Sequence, residues 1–280
     1  MLIDLTQGYG EFSTHKLFQF PDGSIKFELS VYIDPNDSFR GDTIVKTRLR
    51  NHEDIFTLAL VKDVLDRRLP TQTHRVKIDY MMYQQDDRLF DVKESFGLKV
   101  VCKFINDMKW DEVIVFAPHS DKVEFIDKIR IVDNTTFVAH ALTKIPDSSQ
   151  AIWVIPDSGA FKTQFKMIQK MDHDCSLVCS KSRDDMGRIT TVVPKGDLEG
   201  QDCFIVDDIC LGGATFIAIA EELKKQNCGK LYLIVSHGLF NRGLDHLLEY
   251  FDTIYTTDSI HIECSIPHCE SSDRVRVFKI

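Results

Sequence analysis

The chain has 280 residues, of which 43% are hydrophobic and 28% charged, and a formal net charge of −9. This composition fits a folded globular protein with room for two domains and excludes a disordered one. The acidic balance argues against nucleic acid as a partner, and no apolar run reaches the roughly 18 residues of a membrane span.

The N-terminal stretch Met1-Leu-Ile-Asp-Leu-Thr-Gln7 has no basic region and no long apolar run. No secretion signal is expected there, and a cytoplasmic location is. Eight cysteines, at 102, 175, 179, 203, 210, 228, 264 and 269, form no CxxC pair, and the expectation is reduced thiols. His261, Cys264, His268 and Cys269 gather nitrogen and sulfur donors, but their spacing matches no familiar zinc pattern.

Phe20-Pro-Asp-Gly-Ser24 is a turn signal, and residues 25–32 after it alternate as a strand. Thr43–Leu49 reads as a second strand, and Asn51 as the N-cap of a helix to about Arg68. Val76–Tyr80 is a short strand leading into a polar loop. Val92–Met108 has helical spacing, and Glu112–Ala117 is a buried-strand run ending in Pro118-His119-Ser120. The second half repeats the alternation. Ala151–Ile155 is a strand ending in Pro156-Asp157-Ser158-Gly159, and Phe161–Met171 a helix. Ser176–Cys179 is a strand ending near Lys181-Ser182-Arg183, and Asp184–Val193 is a polar stretch with a strand. Asp202–Val206, Thr215–Gln226, Lys230–Ser236 and a helix near Leu244–Tyr250 complete the series. Strands separated by helices predict an α/β protein of two domains, each a mainly parallel sheet flanked by helices. The polar segment 143–150 marks the expected boundary, giving domains 1–145 and 146–280.

In open parallel sheets, ligands bind beyond the carboxyl ends of the strands. His119, Asp157, Lys181, Asp207, Asp208 and His237 all follow apolar runs. The densest cluster is Cys203-Phe-Ile-Val-Asp-Asp208, followed by Gly212, Gly213 and a helix starting near Thr215. Carboxylates there can accept hydrogen bonds from ribose hydroxyls. Glycines let backbone N–H groups approach a phosphate, and a helix N-terminus adds positive partial charge. A plain turn with an Asp cap uses the same residue types.

This segment resembles the ribose-phosphate loop of the type I phosphoribosyltransferase fold. Val235-Ser-His-Gly-Leu-Phe240, Tyr255-Thr-Thr-Asp-Ser-Ile260, Phe20-Pro-Asp-Gly23 and the loop Tyr80-Met-Met-Tyr-Gln-Gln-Asp-Asp-Arg88 extend the likeness. In this order they are similar to motifs of the ribose-phosphate diphosphokinases (PRPP synthetases), across most of the chain. The resemblance implies two phosphoribosyltransferase-like domains, the first on the ATP side and the second on the ribose-phosphate side. It implies transfer of the β,γ-diphosphate of ATP to the C1 hydroxyl of a ribose phosphate. His119 and Asp157 match the positions that hold or orient Mg²⁺, with His119 also in the catalytic set. Lys181 and Arg183 match the cations of the catalytic loop. Asp207 and Asp208 match the ribose carboxylates, and Gly212, Gly213, Ala214 and Thr215 the 5′-phosphate loop. Asp22, Gln85, Asp86, Asp87 and Arg88 fall at ATP-binding positions. A homo-oligomer is implied as well.

Several positions depart from the family pattern. Leu211 and Gly212 stand where the family carries an Asp and a Thr. Ser24 replaces a Glu, Gln85 an Arg and Ala117 an Asp. The altered loop is wider and more apolar, so a 5′-substituted acceptor such as ADP-ribose is expected. Two alternatives compete: a catalytically silent regulatory member of the same fold, and a salvage phosphoribosyltransferase that consumes a 1-diphosphate.

Overall fold

The computed structural model describes residues 1–6, 14–30, 41–173, 176–183, 189–260 and 273–280, and for residues 181–191 no side chains. Cys175, His261, Cys264, His268 and Cys269 therefore lie outside the described residues, as do residues 184–188 of the polar stretch. The chain divides into two compact units, Met1–Asp133 and Asn134–Ile280.

The first unit contains β1 (Leu2–Asp4), β2 (His15–Gln19), β3 (Ile25–Leu29), β4 (Asp42–Leu49), α1 (His52–Arg68), β5 (Thr73–Met81), α2 (Gly97–Asp107), β6 (Glu112–Phe116) and β7 (Ile129–Val132). Its sheet runs in the order β1-β4-β5-β6-β7 with every pairing parallel, and β2 and β3 form a separate antiparallel hairpin. Val45, Val76, Ile78, Val113 and Val115 pack against Leu58, Val61 and Leu65 of α1 and Leu98, Val101 and Ile105 of α2. Asn51 caps α1, its side chain accepting from Asp54 N–H at 2.9 Å.

Helix α2 starts at Gly97 rather than at Val92. Leu89, Phe90 and Val92 are 53%, 83% and 95% exposed, so the upstream residues bury no face that would hold them helical. The helix start is fixed instead by Asp86, whose carboxylate accepts from Gly97 N–H at 2.7 Å and whose carbonyl accepts from Leu98 N–H at 3.1 Å.

The second unit contains α3 (Thr135–Leu142), β8 (Ile152–Ile155), α4 (Ser158–Lys170), β9 (Ser176–Val178), β10 (Ser180–Arg183), β11 (Ile189–Val192), β12 (Cys203–Cys210), α5 (Ala214–Lys225), β13 (Leu231–Gly238), α6 (Asp245–Leu248), β14 (Thr253–Thr257) and β15 (Val275–Phe278). The six-stranded sheet has the order β15-β14-β13-β12-β8-β9, all parallel, and β10 and β11 pair as an antiparallel hairpin. The two faces of β12 separate the core. Cys203 and Ile205 pack with Phe216, Ile219 and Leu223 of α5. Phe204 and Val206 pack with Phe137 and Val138 of α3 and Met167 and Ile168 of α4. This period-two alternation between covering helices makes β12 apolar throughout until its last residues. The packing of α3 on this sheet is why the division falls at Asp133, upstream of the polar segment 143–150.

Candidate functional site

In the second unit the site grows out of β12. The strand runs past Val206 through Asp207 and Asp208 to Cys210, because pairing with β13 continues from Asp207–Val235 to Cys210–Gly238. The carboxylates thus sit on a hydrogen-bonded strand rather than in a loose turn. Asp207 accepts from Asp208 N–H at 2.9 Å. Burial pushes the Asp207 carboxyl well above the usual carboxylate range, and the charges of Asp208 and Asp157 push it further. Asp157 follows β8 and caps α4, accepting from Gly159 N–H at 2.8 Å and Ala160 N–H at 3.0 Å.

The loop between β12 and α5 is only three residues long, Leu211–Gly213. Gly213 adopts φ +77°, and a Cβ there would stand 2.6 Å from Leu247 Cδ2. Both the left-handed backbone and the contact require glycine. Helix α5 then starts at Ala214, so the first-turn N–H groups of Ala214 and Thr215 face the loop. A second layer braces this loop. Leu239 and Phe240 N–H groups donate to the Cys210 carbonyl at 2.9 and 3.3 Å, and Asn241 N–H donates to the Leu211 carbonyl at 3.0 Å. His246 Nε2 lies 3.0 Å from the Gly212 carbonyl.

This bracing gives a physical account of the Ser236–Phe240 motif. The Phe240 ring lies over Gly238, where a Cβ would meet it at 2.1 Å. His237 is fully buried, and its Nδ1 lies 2.8 Å from Ser259 Oγ. The Ser236 carbonyl accepts from Thr257 Oγ1 at 2.6 Å and Ser259 Oγ at 3.1 Å, and Ser236 Oγ pairs with Asn134 Nδ2 at 2.8 Å. Placing His237 just beyond an apolar run is therefore corrected: β13 extends through it and buries its ring in this network. Gln164 of α4 adds another tie, accepting from Trp153 Nε1 at 2.9 Å and donating to the Val206 carbonyl at 2.6 Å, one residue before Asp207.

Lys181 and Arg183 lie on β10, in register with Thr191 and Ile189 of β11. They belong to an antiparallel hairpin rather than to the end of β9, and their side chains lie outside what the structure describes.

The remaining expected residues belong to the first unit. His119 follows β6, and its N–H donates to Gln84 Oε1 at 2.6 Å, while Gln84 Nε2 donates to the Met81 carbonyl at 2.6 Å. Ser120 Oγ donates to Asp87 Oδ2 at 2.8 Å. The loops after β5 and β6 are thereby stitched together. Asp87 pairs with Arg88 at 2.9 Å, and that hydrogen bond holds its carboxyl below the usual range. Gln85 and Arg88 are exposed, whereas the Asp86 carboxylate is engaged by the α2 N-terminus. His52 Nε2 lies 2.8 Å from Tyr83 Oη, tying the same loop to α1. Asp22 lies at the tip of the β2–β3 hairpin and accepts from Ser24 N–H at 3.0 Å and Ser24 Oγ at 2.7 Å.

Among the described residues, no three His, Cys, Asp or Glu side chains converge as a metal cage. The described cysteines 102, 179, 203, 210 and 228 are free, and burial pushes the Cys179 and Cys210 thiols up to about 12. Among the described residues no helix is long and apolar enough to cross a membrane. The loop-bracing residues Asn241, Arg242 and His246 escape sequence reading. The only signal for them is their position just after the His-Gly-Leu-Phe motif.

Residues 138–266 match the phosphoribosyl transferase domain family. The chain is 25% identical over 268 residues to a ribose-phosphate pyrophosphokinase of Pasteurella multocida, covering 94% of this chain and 82% of that protein. A ribose-phosphate pyrophosphokinase of Mycoplasmopsis pulmonis is 24% identical over 263 residues, with 93% and 79% covered. The fold is similar to the crystal structure of phosphoribosylpyrophosphate synthetase from Mycobacterium smegmatis, with a TM-score of 0.79 and 17% identity over 95% of this chain and 86% of that one. Parallel sheets and a carboxylate-bearing strand feeding a glycine-started helix define a transferase of the phosphoribosyltransferase fold. Within that class the chain is a ribose-phosphate diphosphokinase-like transferase, similar along most of its length to the ribose-phosphate pyrophosphokinases (PRPP synthetases).

Proposed function

We propose that the chain transfers the β,γ-diphosphate of ATP to the C1 hydroxyl of a ribose 5′-phosphate-type acceptor, and that the acceptor is 5′-substituted, as in ADP-ribose. The observation that carries this reading is the β12–α5 junction, where Asp207 and Asp208 lead over three residues into the Gly213-capped helix. In it, Asp207 and Asp208 accept hydrogen bonds from the ribose hydroxyls. The N–H groups at the start of α5, with Gly212, Gly213 and Thr215, hold the 5′-phosphate. The acceptor oxygen on C1 bonds to the β-phosphorus as the α,β-bridging bond breaks, giving a 1-diphosphate, AMP and a proton. Lys181 and Arg183 neutralise charge on the moving diphosphate, which is electrostatic catalysis.

The substituted acceptor follows from Leu211, which is 37% exposed, and Gly212 at the rim. Neither supplies a side-chain donor that would close the loop over a terminal phosphate. Asp22, Gln85, Asp86, Asp87 and Arg88 are assigned to ATP, with the first unit as the ATP side and the second as the ribose-phosphate side. Mg²⁺ is the expected cofactor, with Asp157 and His119 holding or orienting it. The carboxylates of Asp208 and Asp157, whose charges bear on Asp207, are the oxygen donors that a hard cation prefers. Bound Mg²⁺ supplies charge neutralisation along the ATP phosphates. A homo-oligomer in the cytoplasm completes the assignment.

Incubation with ATP, Mg²⁺ and a panel of ribose phosphates including ADP-ribose, followed by mass measurement, tests the proposal. The expected products are AMP and a 1-diphosphate carrying the substituted 5′ group. AMP formed with ribose 5-phosphate and none with ADP-ribose refutes the acceptor assignment. No AMP with any acceptor refutes the transfer.

A further inference from the structure

The turn after β13 lies directly against the Leu211–Gly213 loop. Asn241 N–H donates to the Leu211 carbonyl at 3.0 Å, and Gly243 N–H closes the turn on the Phe240 carbonyl at 2.8 Å. Arg242 sits between these two bonds, at a fixed place relative to the loop. Its stem crosses Gly212. A Cβ on Gly212 would lie 3.2 Å from Arg242 Cδ, 3.3 Å from Arg242 Nε and 3.2 Å from Asn241 Oδ1. A side chain at position 212 would need this stem to give by a few tenths of an ångström, so the glycine and the arginine are coupled by space.

Arg242 is exposed, and among the described residues it makes no ion pair or hydrogen bond. An unpaired guanidinium beside a phosphate loop can take an incoming anion without first breaking a salt bridge. The loop's own donors, the first-turn N–H groups of α5, are enough for one phosphate. A second phosphate attached to the first would extend over the rim at Leu211 and Gly212, under Arg242. Guanidinium is permanently charged and presents a fork that matches phosphate oxygens.

We propose that Arg242, seated on Gly212, is a specificity-determining residue that binds the distal phosphate of a ribose 5′-diphosphate ester, with the Asn241 amide beside it. The inference rests on the reading of the β12–α5 loop as the cradle for a substituted 5′-phosphate. It adds the residue that distinguishes one phosphate from two.

The test compares kcat/KM for ADP-ribose and ribose 5-phosphate, with ATP and Mg²⁺, in the wild type and in Arg242→Ala, Arg242→Lys and Gly212→Thr. In Arg242→Ala the ratio of ADP-ribose to ribose 5-phosphate kcat/KM should fall about 10- to 100-fold, the range of a charge-assisted hydrogen bond. The loss should appear in KM for ADP-ribose rather than in kcat. Titration of ADP-ribose by calorimetry should show the same weakening in Kd. Arg242→Lys should recover part of the ratio, because it keeps charge without the fork. Gly212→Thr should lower the ratio with residue 242 untouched. An unchanged ratio in Arg242→Ala, whether both acceptors are kept or both are lost in parallel, overturns the assignment of Arg242 alone. A wild-type enzyme that uses ribose 5-phosphate but no 5′-substituted acceptor overturns the loop reading and this inference with it.

Discussion

Replacing Gly213 by alanine should damage the site through two separable terms. At φ +77° a Cβ meets the backbone penalty of the left-handed region, about 1–2 kcal/mol. The same Cβ would stand 2.6 Å from Leu247 Cδ2, which is overpacking against a fully buried side chain, about 1–3 kcal/mol. Together Gly213→Ala should cost about 2–5 kcal/mol. Leu247→Ala alone should cost about 2–5 kcal/mol, because it opens a cavity under α5. In the double variant the missing leucine removes the clash but not the backbone term. Its loss should therefore be smaller than the sum of the single losses by about 1–3 kcal/mol. The chain has two tryptophans, Trp110 in the first unit and Trp153 in the second, so a Trp110→Phe background lets Trp153 fluorescence report on the second unit alone. Urea unfolding of the four proteins in that background measures each difference. Single losses that add within about 0.5 kcal/mol would refute the contact between Gly213 and Leu247. A neutral Gly213→Ala would refute the left-handed backbone as well.

Asp207→Asn should abolish turnover yet raise the melting temperature at neutral pH. The folded carboxyl is held above its unfolded value, so its contribution to stability is full below the unfolded pKa and is lost as pH rises through the folded one. The variant's advantage, about 0.5–2 kcal/mol or roughly 2–4 °C per kcal/mol, should open as pH rises from about 4. Calorimetry at several pH values measures it, and an advantage that grows toward acid would contradict the burial of this carboxyl. Gln164→Leu should cost about 2–4 kcal/mol in the same fluorescence assay, because it orphans Trp153 Nε1 and the Val206 carbonyl; a loss below about 0.5 kcal/mol would mean the bridge is not made in solution. Lys181→Ala should lower kcat by about 10²-fold or more while leaving the unfolding curve unchanged. Turnover at the wild-type rate would remove Lys181 from the catalytic set.

Much of the fold was legible because apolar runs with turn punctuation are local signals. β4, α1, β6, β8, β12 and β13 were each marked by such runs. The elements β1, β7 and α3 were not. The start of α2 was misplaced for a related reason. Helical spacing over residues 92–95 was real, but those side chains are exposed, and Asp86 sets the first turn from eleven residues upstream.

The candidate site divides the same way. Asp207, Asp208, Gly212, Gly213 and Thr215 are consecutive or nearly so, and their residue types, which a plain capped turn also uses, singled this loop out as a candidate. By itself, the sequence determined the residue types of that loop and the order of motifs that carries the likeness to the ribose-phosphate pyrophosphokinases. It could not determine what stands behind the loop, because that depends on side chains brought together from distant positions. Leu247 under Gly213, His246 on the Gly212 carbonyl and Arg242 across Gly212 meet the loop only because β12 and β13 lie side by side in parallel register. The Asp207 carboxyl is likewise pushed above the usual range only because the fold shields it and sets it near the charges of Asp208 and Asp157. Contact order, not residue type, decided those features, and only the tertiary structure carries it.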